Sequence, residues 1–381
     1  RRYEEQVTAS GGHVHWASTP EDACRIVTDI CRKANAKKVI RGKSMIGEEV
    51  GINDALEEAG FEVIETDLGE YILQLAKEPP SHIVAPAIHK SKDEISDLFQ
   101  EHHAARGLTE RQTERSALVQ EARQVLREAF VTADVGITGA NFLIADTGSN
   151  IIVTNEGNGD LTCTLPKVHI VTAAIDKVVP SVDDTMVLLR LLGRSATGQE
   201  ITAYTTFTTG PKRREDVDGP EEYHVVLVDN GRSTMLGNEF RDMLRCIRCG
   251  ACMNHCPVYG SIGGHAYGWV YPGPMGSVLT PMMVGLDEAG NLPNACTLNG
   301  HCQEVCPVRI PLPKLLRAHR THQHEQKLNS GVFRYGLGVW AFFASHPRIY
   351  QFGTRIVMAV MGTLGRRKGV FRRMPFAGGW T

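Results

Sequence analysis

Short apolar runs alternate with amphipathic segments through residues 13–230 of the chain. The apolar runs predict buried strands and read KKVIRG, FEVIETD, SHIVAPA, ADVGITGA, NIIVTNE, KVHIVTA and YHVVLVD. The amphipathic and polar segments predict helices over 24–34 with a start at Ser18 or Thr19, over 44–60 ending at Gly60, and over 110–130. Strands separated by helices are typical of an α/β domain with a mostly parallel sheet, which we assign to residues 1–232.

Polar and glycine-rich loops follow several of these strands, at the edge where parallel sheets bind ligands. Between a strand and a helix start, RGKS contains Lys43 and Ser44, where backbone amides favour anions. The other loops are TGAN (138–141), ADTGS (145–149) and NEGNG (155–159), although tight turns use the same residues without any ligand. The candidate pocket residues are Lys43, Ser44, Thr138, Gly139, Asp146 and Glu156. The catalytic residues stay unassigned, with Glu156 and His89 as the candidate acid–base groups.

The ten cysteines are unevenly distributed, since seven of them fall between residues 246 and 306. A small secreted disulfide framework would spread them along the chain, so we expect a reducing, cytoplasmic setting. Buried structural thiols are expected for Cys24, Cys31 and Cys163. The formal net charge is −2, which gives no basic footprint for nucleic acid. Nothing at the start of the sequence resembles a signal peptide.

The first cysteine run has the spacing of bacterial ferredoxins. It reads Cys246-x2-Cys249-x2-Cys252-x3-Cys256-Pro257. In that pattern three thiolates bind one cluster and the fourth cysteine binds the other cluster. A zinc ribbon would need paired C-x2-C knuckles, which this spacing fits poorly. The run therefore predicts iron–sulfur chemistry within a ferredoxin-like domain at residues 233–325.

The second run, Cys296-x5-Cys302-x3-Cys306-Pro307, lacks one cysteine and has Asn299 in its place. The predicted ligands of a first, [4Fe–4S] cluster are Cys246, Cys249, Cys252 and Cys306. Those of the second centre are Cys256, Cys296 and Cys302. An amide binds iron poorly compared with thiolate, so we expect [3Fe–4S] at the second centre. The alternative is a [4Fe–4S] cluster whose open corner binds water, a small molecule or the Asn299 oxygen.

The end of the chain, residues 326–381, is a basic amphipathic segment. Residues 331–381 contain eight Arg or Lys and no Asp or Glu. The apolar stretches YGLGVWAFFA and IVMAVMGTLG are both shorter than the roughly 20 residues that cross a bilayer. We expect the segment to dock on a partner protein, with peripheral contact at the inner face of a membrane as the alternative. Before it, a predicted helix carries three histidines that we expect on a solvated face: His319, His322 and His324.

These motifs resemble known families. The stretch CTLNGHCQEVCP resembles the three-iron motif of succinate dehydrogenase iron–sulfur subunits, but the C-x4-C-x2-C motif of those proteins is missing here. Nearly the whole chain is similar to the lactate utilization protein B family, the iron–sulfur subunits of bacterial three-component L-lactate dehydrogenases. The matching stretches include GGHVHWA, ETDLGEYILQLA, PSHIVAPAIHK, ADVGITGANFLIADTGS, VTNEGNG, RSATGQ, GPEEYHVVLVDNGRS, CIRCGACMNHCPVY and CPVRIPL. Many members of that family carry cysteine where this chain has Asn299, which gives them two four-iron clusters.

The resemblance implies a LUD domain of the sugar-phosphate isomerase and coenzyme A transferase type, followed by a mainly α-helical two-cluster ferredoxin domain. It also implies oxidation of L-lactate to pyruvate by an assembled complex in which this subunit transfers electrons. The implied partners are a cysteine-rich subunit of the heterodisulfide-reductase type and a second LUD-domain subunit. Two alternatives stay open: a LUD domain with its own ligand-binding or acyl/CoA-type activity, or a scaffold whose clusters are regulatory or structural.

Overall fold

The computed structural model describes residues 1–364, and the chain divides into two compact units after Arg320. The first unit is built around a six-stranded sheet with the order β1-β10-β7-β4-β2-β3, in which every neighbouring pair is parallel. Its strands are β1 (His13–Ala17), β2 (Lys38–Arg41), β3 (Glu62–Glu65), β4 (Val135–Gly139), β7 (Val168–Ala174) and β10 (Glu222–Val228). The predicted α/β domain with a mostly parallel sheet is confirmed.

A second, four-stranded sheet has the order β8-β5-β6-β9 and mixes parallel with antiparallel pairs. Its strands are β5 (Phe142–Ile144), β6 (Asn150–Thr154), β8 (Val178–Val179) and β9 (Tyr204–Thr208). Helices cover both faces of the six-stranded sheet. Those that precede the cysteine runs are α1 (Arg2–Ala9), α2 (Pro20–Lys33), α3 (Met45–Val50), α4 (Ile52–Glu58), α5 (Leu68–Ala76), α6 (Lys92–His103), α7 (Arg115–Thr132), α8 (Asn158–Thr164) and α9 (Val182–Thr197).

Strand burial explains the near-continuous apolar runs of the sequence, because both faces of this sheet are covered. On one face Val39, Val135 and Val226 pack with residues of α2, α3 and α4. On the other, Ile40 packs with α5, α6 and α7. Helix α2 begins as predicted, since the Thr19 hydroxyl accepts a hydrogen bond from the backbone N–H of Asp22.

Three local predictions are wrong. SHIVAPA does not form a strand; it is a turn-rich loop in which His82 Nδ1 accepts from the backbone N–H groups of Val84 and Ala85 at 3.0 Å. Side chains thereby replace the ladder partners of a strand. The segment 44–60 is two helices, because Gly51 adopts φ 72° between α3 and α4. His319 is buried instead of solvated: its Nε2 lies 2.8 Å from the Val278 carbonyl.

The cysteine-rich region consists of short helices and turns. Its α-helices are α10 (Ala251–Asn254), α11 (Pro257–Ile262), α12 (Gly273–Val284), α13 (His301–Glu304) and α14 (Leu312–Glu325). Their buried apolar side chains form one cluster that also contains Ile83 of the turn-rich loop. The predicted mainly α-helical domain is confirmed, and it packs on the α/β domain within the first unit.

The second unit contains α15 (Gly331–Ser345) and α16 (Pro347–Leu364). The Ser330 hydroxyl caps α15 by accepting from the Phe333 N–H at 3.3 Å. Large aromatic side chains on both helices are exposed, such as Tyr335, Trp340 and Phe352. Within residues 1–364 no helix is long and apolar enough to span a membrane. The basic residues after position 364 lie outside the described residues.

Candidate iron–sulfur sites and the adjoining cavity

Each of the two cysteine runs contains a turn with the same backbone conformation. Arg248 and Leu298, each two residues after the first cysteine of its run, have φ of 59° and 57°. Gly250 and Gly300, two residues further on, have φ of 78° and 88° and each begins a four-residue helix. Positive φ is uncommon for residues other than glycine, so its presence at both corresponding positions marks one shared backbone geometry. Asn299 therefore occupies the position that corresponds to Cys249.

The four cysteines predicted for the first cluster line one cavity. They are Cys246, Cys249, Cys252 and Cys306. Burial raises the pKa of the Cys249 thiol to about 11, and the charges of Cys246 and Cys306 add to this. A buried thiolate is unfavourable unless a cation compensates it, as iron does in a cluster. The donor set and its convergence fit a four-thiolate iron–sulfur cluster.

The three cysteines predicted for the second centre also lie together. Burial, followed by the charges of Cys296 and Cys256, raises the pKa of Cys302 to about 11. Burial is also the main cause of the raised pKa of Cys252, to which the charge of Cys302 adds. The cysteines predicted for the first cluster and those predicted for the second centre are thus close enough to affect one another's pKa. Tyr267, which is buried beside Cys256, has its pKa raised first by burial and then by that thiol.

Backbone amides point at several of these sulfur atoms. The backbone N–H of Leu298 donates to Cys296 Sγ at 3.3 Å, that of Ile310 to Cys306 Sγ at 3.4 Å, and that of Tyr259 to Cys256 Sγ at 3.5 Å. Such bonds orient cluster ligands and tune reduction potentials. Within residues 1–364 no three His, Cys, Asp or Glu side chains converge closely enough to hold a single metal ion. The thiolates of a cluster bind different iron atoms and therefore stand further apart.

Asn299 is exposed, and its Oδ1 accepts a hydrogen bond from the backbone N–H of His301 at 3.3 Å. The corresponding bond in the first run joins the Ala251 N–H to the Cys249 thiol, where it lowers the pKa against the larger effect of burial. The amide oxygen of Asn299 thus accepts the hydrogen bond that the missing thiolate would accept. The backbone of the second run is therefore the same as that of the first, but the side chain at this position offers an amide oxygen to iron instead of a sulfur atom.

A buried ionic network joins the cysteine domain to the α/β domain. Arg232 contacts Glu49 through two nitrogens at 2.8 and 2.5 Å, and its Nε lies 3.2 Å from Asp176. Asp176 also faces Arg248, one of the two residues between Cys246 and Cys249, at 3.4 Å. Tyr271 donates to Glu49 at 2.7 Å. The first cysteine run is therefore tied to the carboxyl ends of the α/β strands.

A cavity of about 260 Å³ lies at this junction. Its α/β walls include the loops after β2, β3, β4 and β7, together with residues of β6 and α9, so it occupies the carboxyl edge of the sheet where such folds bind ligands. Its other wall includes Ile247 and Arg248 of the first cysteine run, which also line the cluster cavity. A molecule in the larger cavity would thus lie next to the first cluster site.

The predicted pocket residues divide between this cavity and other places. Those that line the cavity are Lys43, Ser44, Gly139 and Glu156. Thr138 is buried behind it with its hydroxyl 2.8 Å from His169 Nε2, and Asp146 forms an ion pair with Arg2 at 3.0 Å. His89 lies in a separate contact with Ser81 and is not a lining residue. The structure therefore brings Glu156 to the cavity and leaves His89 outside it.

Sequence reasoning missed the cavity residues supplied by other elements. Lys177 follows β7, and its Nζ donates to the Cys246 carbonyl at 3.2 Å. Burial, and then the Arg248 guanidinium, lower the pKa of Lys177 to about 8. Asn158 and Tyr271 also line the cavity. The one available signal was the place of Lys177 shortly after an apolar strand, which does not reveal a contact with Cys246, 69 residues away in the sequence.

Comparison with known proteins agrees with this two-part architecture. The LUD-domain family profile matches residues 1–228, and a 4Fe-4S dicluster domain profile matches residues 242–310. Lactate utilization protein B of Bacillus subtilis is 48% identical over 94% of this chain and 74% of its own length. An uncharacterized electron transport protein of Escherichia coli is 48% identical over 92% and 73%. A crystal structure of a DUF162 family protein from Deinococcus radiodurans covers 60% of this chain and 94% of its own at 16% identity, with a TM-score of 0.33 that supports no conclusion.

Proposed function

The chain belongs to the LUD-domain family that includes lactate utilization protein B, and on this premise we propose that it is an iron–sulfur electron-transfer subunit in L-lactate oxidation to pyruvate. The observation that carries the proposal is that seven cysteines, in two runs with the same turn, form two neighbouring sets of thiols. Clusters bound by these residues would supply one-electron transfer. The chain itself contributes thiolates, amide hydrogen bonds to sulfur and burial from water.

A direct test is an assay of the purified holoprotein with L-lactate and a dye acceptor, with and without its partner subunits. We expect turnover only in the assembled complex, because among the described residues that line the cavity Glu156 is reached by no histidine that could complete an acid–base pair. Lactate oxidation by the isolated chain would overturn the relay function and favour a catalytic LUD domain. A redox titration supplies a second criterion, since clusters that stay silent over the physiological range could not transfer electrons.

We further propose that the first site holds [4Fe–4S] through Cys246, Cys249, Cys252 and Cys306, and that the second holds [3Fe–4S] through Cys256, Cys296 and Cys302. The support is the missing fourth thiolate, whose place in the repeated turn is taken by Asn299. The amide oxygen of Asn299 already accepts a hydrogen bond from the His301 N–H, and an amide oxygen is a poorer ligand for iron than a thiolate. A three-iron centre has an odd electron count when oxidised, so anaerobically purified protein should give an oxidised-state EPR signal; its absence would contradict the assignment.

The proposed partners are a cysteine-rich subunit of the heterodisulfide-reductase type and a second LUD-domain subunit. We propose that residues 331–381 dock on a partner, since α15 and α16 expose aromatic side chains and this stretch contains no acidic residue. Removal of 331–381 should weaken pull-down of the partner subunits and leave iron content unchanged. Unchanged pull-down combined with lost binding to anionic vesicles would instead assign the segment to a membrane surface.

A further inference from the structure

The first cysteine of each run has a backbone carbonyl that is bound by a cation from outside the run. The Cys246 carbonyl accepts a hydrogen bond from Lys177 Nζ at 3.2 Å. The Cys296 carbonyl, at the corresponding position of the second run, accepts one from Arg320 Nη2 at 2.8 Å. The two cations come from different elements, since Lys177 follows β7 and Arg320 belongs to α14. The two runs therefore share a cationic contact as well as a turn.

Arg320 holds the start of the second run through two hydrogen bonds. Besides the bond to Cys296, its Nε donates to the Pro293 carbonyl at 2.9 Å. Pro293 lies in the short 3₁₀-helix Leu292–Asn294, which leads into the run. Arg320 reaches both carbonyls because Leu316, one turn earlier in α14, is buried in the core of the cysteine-rich region. A planar guanidinium fixes two acceptors relative to each other, which the single ammonium of a lysine does less well.

The guanidinium of Arg320 also brings a positive charge to the second centre. Both of its acceptors are carbonyls, which are neutral, so these two bonds leave the charge in place. In the first run Arg248 lies beside the Cys246 thiol, whereas the corresponding position of the second run is the apolar Leu298. The second run supplies no cation at that position, and α14 brings one to the same end of the run.

We propose that Arg320 is a positioning residue of the second centre: its two hydrogen bonds hold Cys296 in the geometry that binds iron, and its charge raises the reduction potential of the centre. This role rests on the proposed electron-transfer function. Reduction adds one negative charge to a cluster, so a nearby cation stabilises the reduced state more than the oxidised state. Because Arg320 is half-buried, solvent screens this interaction less than it screens that of an exposed charge.

A redox titration of the anaerobically purified holoprotein, monitored by EPR, follows both centres in one experiment. Arg320→Gln keeps an amide donor and removes the charge. We expect the equilibrium constant for reduction of the second centre to fall roughly tenfold, which is about 59 mV for a one-electron couple. The potential of the first cluster should stay the same, because Lys177 makes the corresponding contact there. Arg320→Lys keeps the charge and should keep the wild-type potential.

Incubation of the same proteins with an iron chelator tests the positioning role. Glutamine and lysine both lose the planar contact with two carbonyls, so both Arg320 variants should release the iron of the second centre faster than the wild-type protein does. The matched control is Arg317→Gln, which removes the same charge from an exposed position one turn earlier in α14. Its second-centre potential and its rate of iron release should equal those of the wild-type protein.

An unchanged second-centre potential in Arg320→Gln, an equal fall at both centres, or an equal fall in Arg320→Lys or Arg317→Gln would overturn the charge role. Iron release at the wild-type rate in both Arg320 variants would overturn the positioning role. If Arg320→Gln does not assemble the second centre, Arg320→Lys decides: a wild-type potential supports the proposal, and a lowered potential or a missing centre overturns it. Failure of the electron-transfer function looks different, since the wild-type clusters themselves would then stay silent in the titration.

Discussion

At the scale of single residues, Asn299 determines what the second site can hold. Leu298 and Gly300 keep the positive φ values of the complete run, so a cysteine at 299 would need no backbone change. We expect Asn299→Cys to convert the second centre to [4Fe–4S] and to lower its potential, because a fourth thiolate adds negative charge. EPR and iron analysis measure the conversion and a redox titration measures the potential. Asn294→Cys, at an exposed position outside the turn, is the control; a potential that rose in Asn299→Cys would refute the charge argument.

Tyr267 should tune the potential of the same centre. Its hydroxyl is buried near Cys256 and has no hydrogen-bond partner among the described residues, so it is available to donate to a cluster-bound sulfur and stabilise the reduced state. If about 1 kcal/mol of this interaction differs between the two redox states, Tyr267→Phe lowers the potential by roughly 40 mV. Tyr259→Phe is the matched control, because the Tyr259 hydroxyl donates to the Ser81 carbonyl and its backbone N–H stays on Cys256. Equal shifts in both variants would remove the assigned role of Tyr267.

At the scale of elements, the turn-rich loop 81–87 connects the two domains through backbone contacts. A Cβ atom on Gly264 would meet the Ser81 carbonyl oxygen at 1.8 Å. Gly264 has φ −73°, which alanine adopts easily, so the cost of Gly264→Ala is steric alone. We expect a lower Tm, with a destabilisation of roughly 1–3 kcal/mol measured by thermal unfolding of the holoprotein. Gly260→Ala, in α11 with nothing within 4 Å of its Cβ, should leave the Tm unchanged or raise it; equal losses in both variants would contradict the steric explanation.

The elements also indicate what the sequence could predict. Strands such as β7 were recognisable because both faces of the sheet are covered and their residues are apolar throughout. The loop 81–87 has a similar apolar composition, but His82 and Lys43 satisfy its backbone groups. That exchange depends on residues distant in the fold, which periodicity does not contain. Likewise the spacing of the cysteines predicted the ligand groups, whereas the contact of Lys177 with Cys246 arises only when two domains pack together.

At the scale of the whole molecule, the domains of the first unit are held together by charges that have left water. Glu49 and Asp176 are each 2% exposed in their side chains, and Arg232 is fully buried. Two arginines and two carboxylates balance, and a balanced buried network contributes little to stability by comparison with apolar packing. The network instead fixes a position. Arg248 belongs to the first cysteine run, and it reaches Asp176 only when that run lies against the α/β domain.

Removing one carboxylate from this network should therefore affect the first cluster before the second. Asp176→Asn leaves a buried positive charge without a partner, which typically costs about 3–5 kcal/mol. The strain falls on Arg248 and its cysteine run, because the ion-pair partners of Asp176 within residues 1–364 are Arg232 and Arg248. We expect iron content to fall by the share of the first cluster and the EPR signal of the second to persist. Asp183→Asn, an exposed change at the start of α9, should alter neither. Full occupancy of both clusters with an unchanged Tm in Asp176→Asn would mean that the ionic network does not hold the first cysteine run in place.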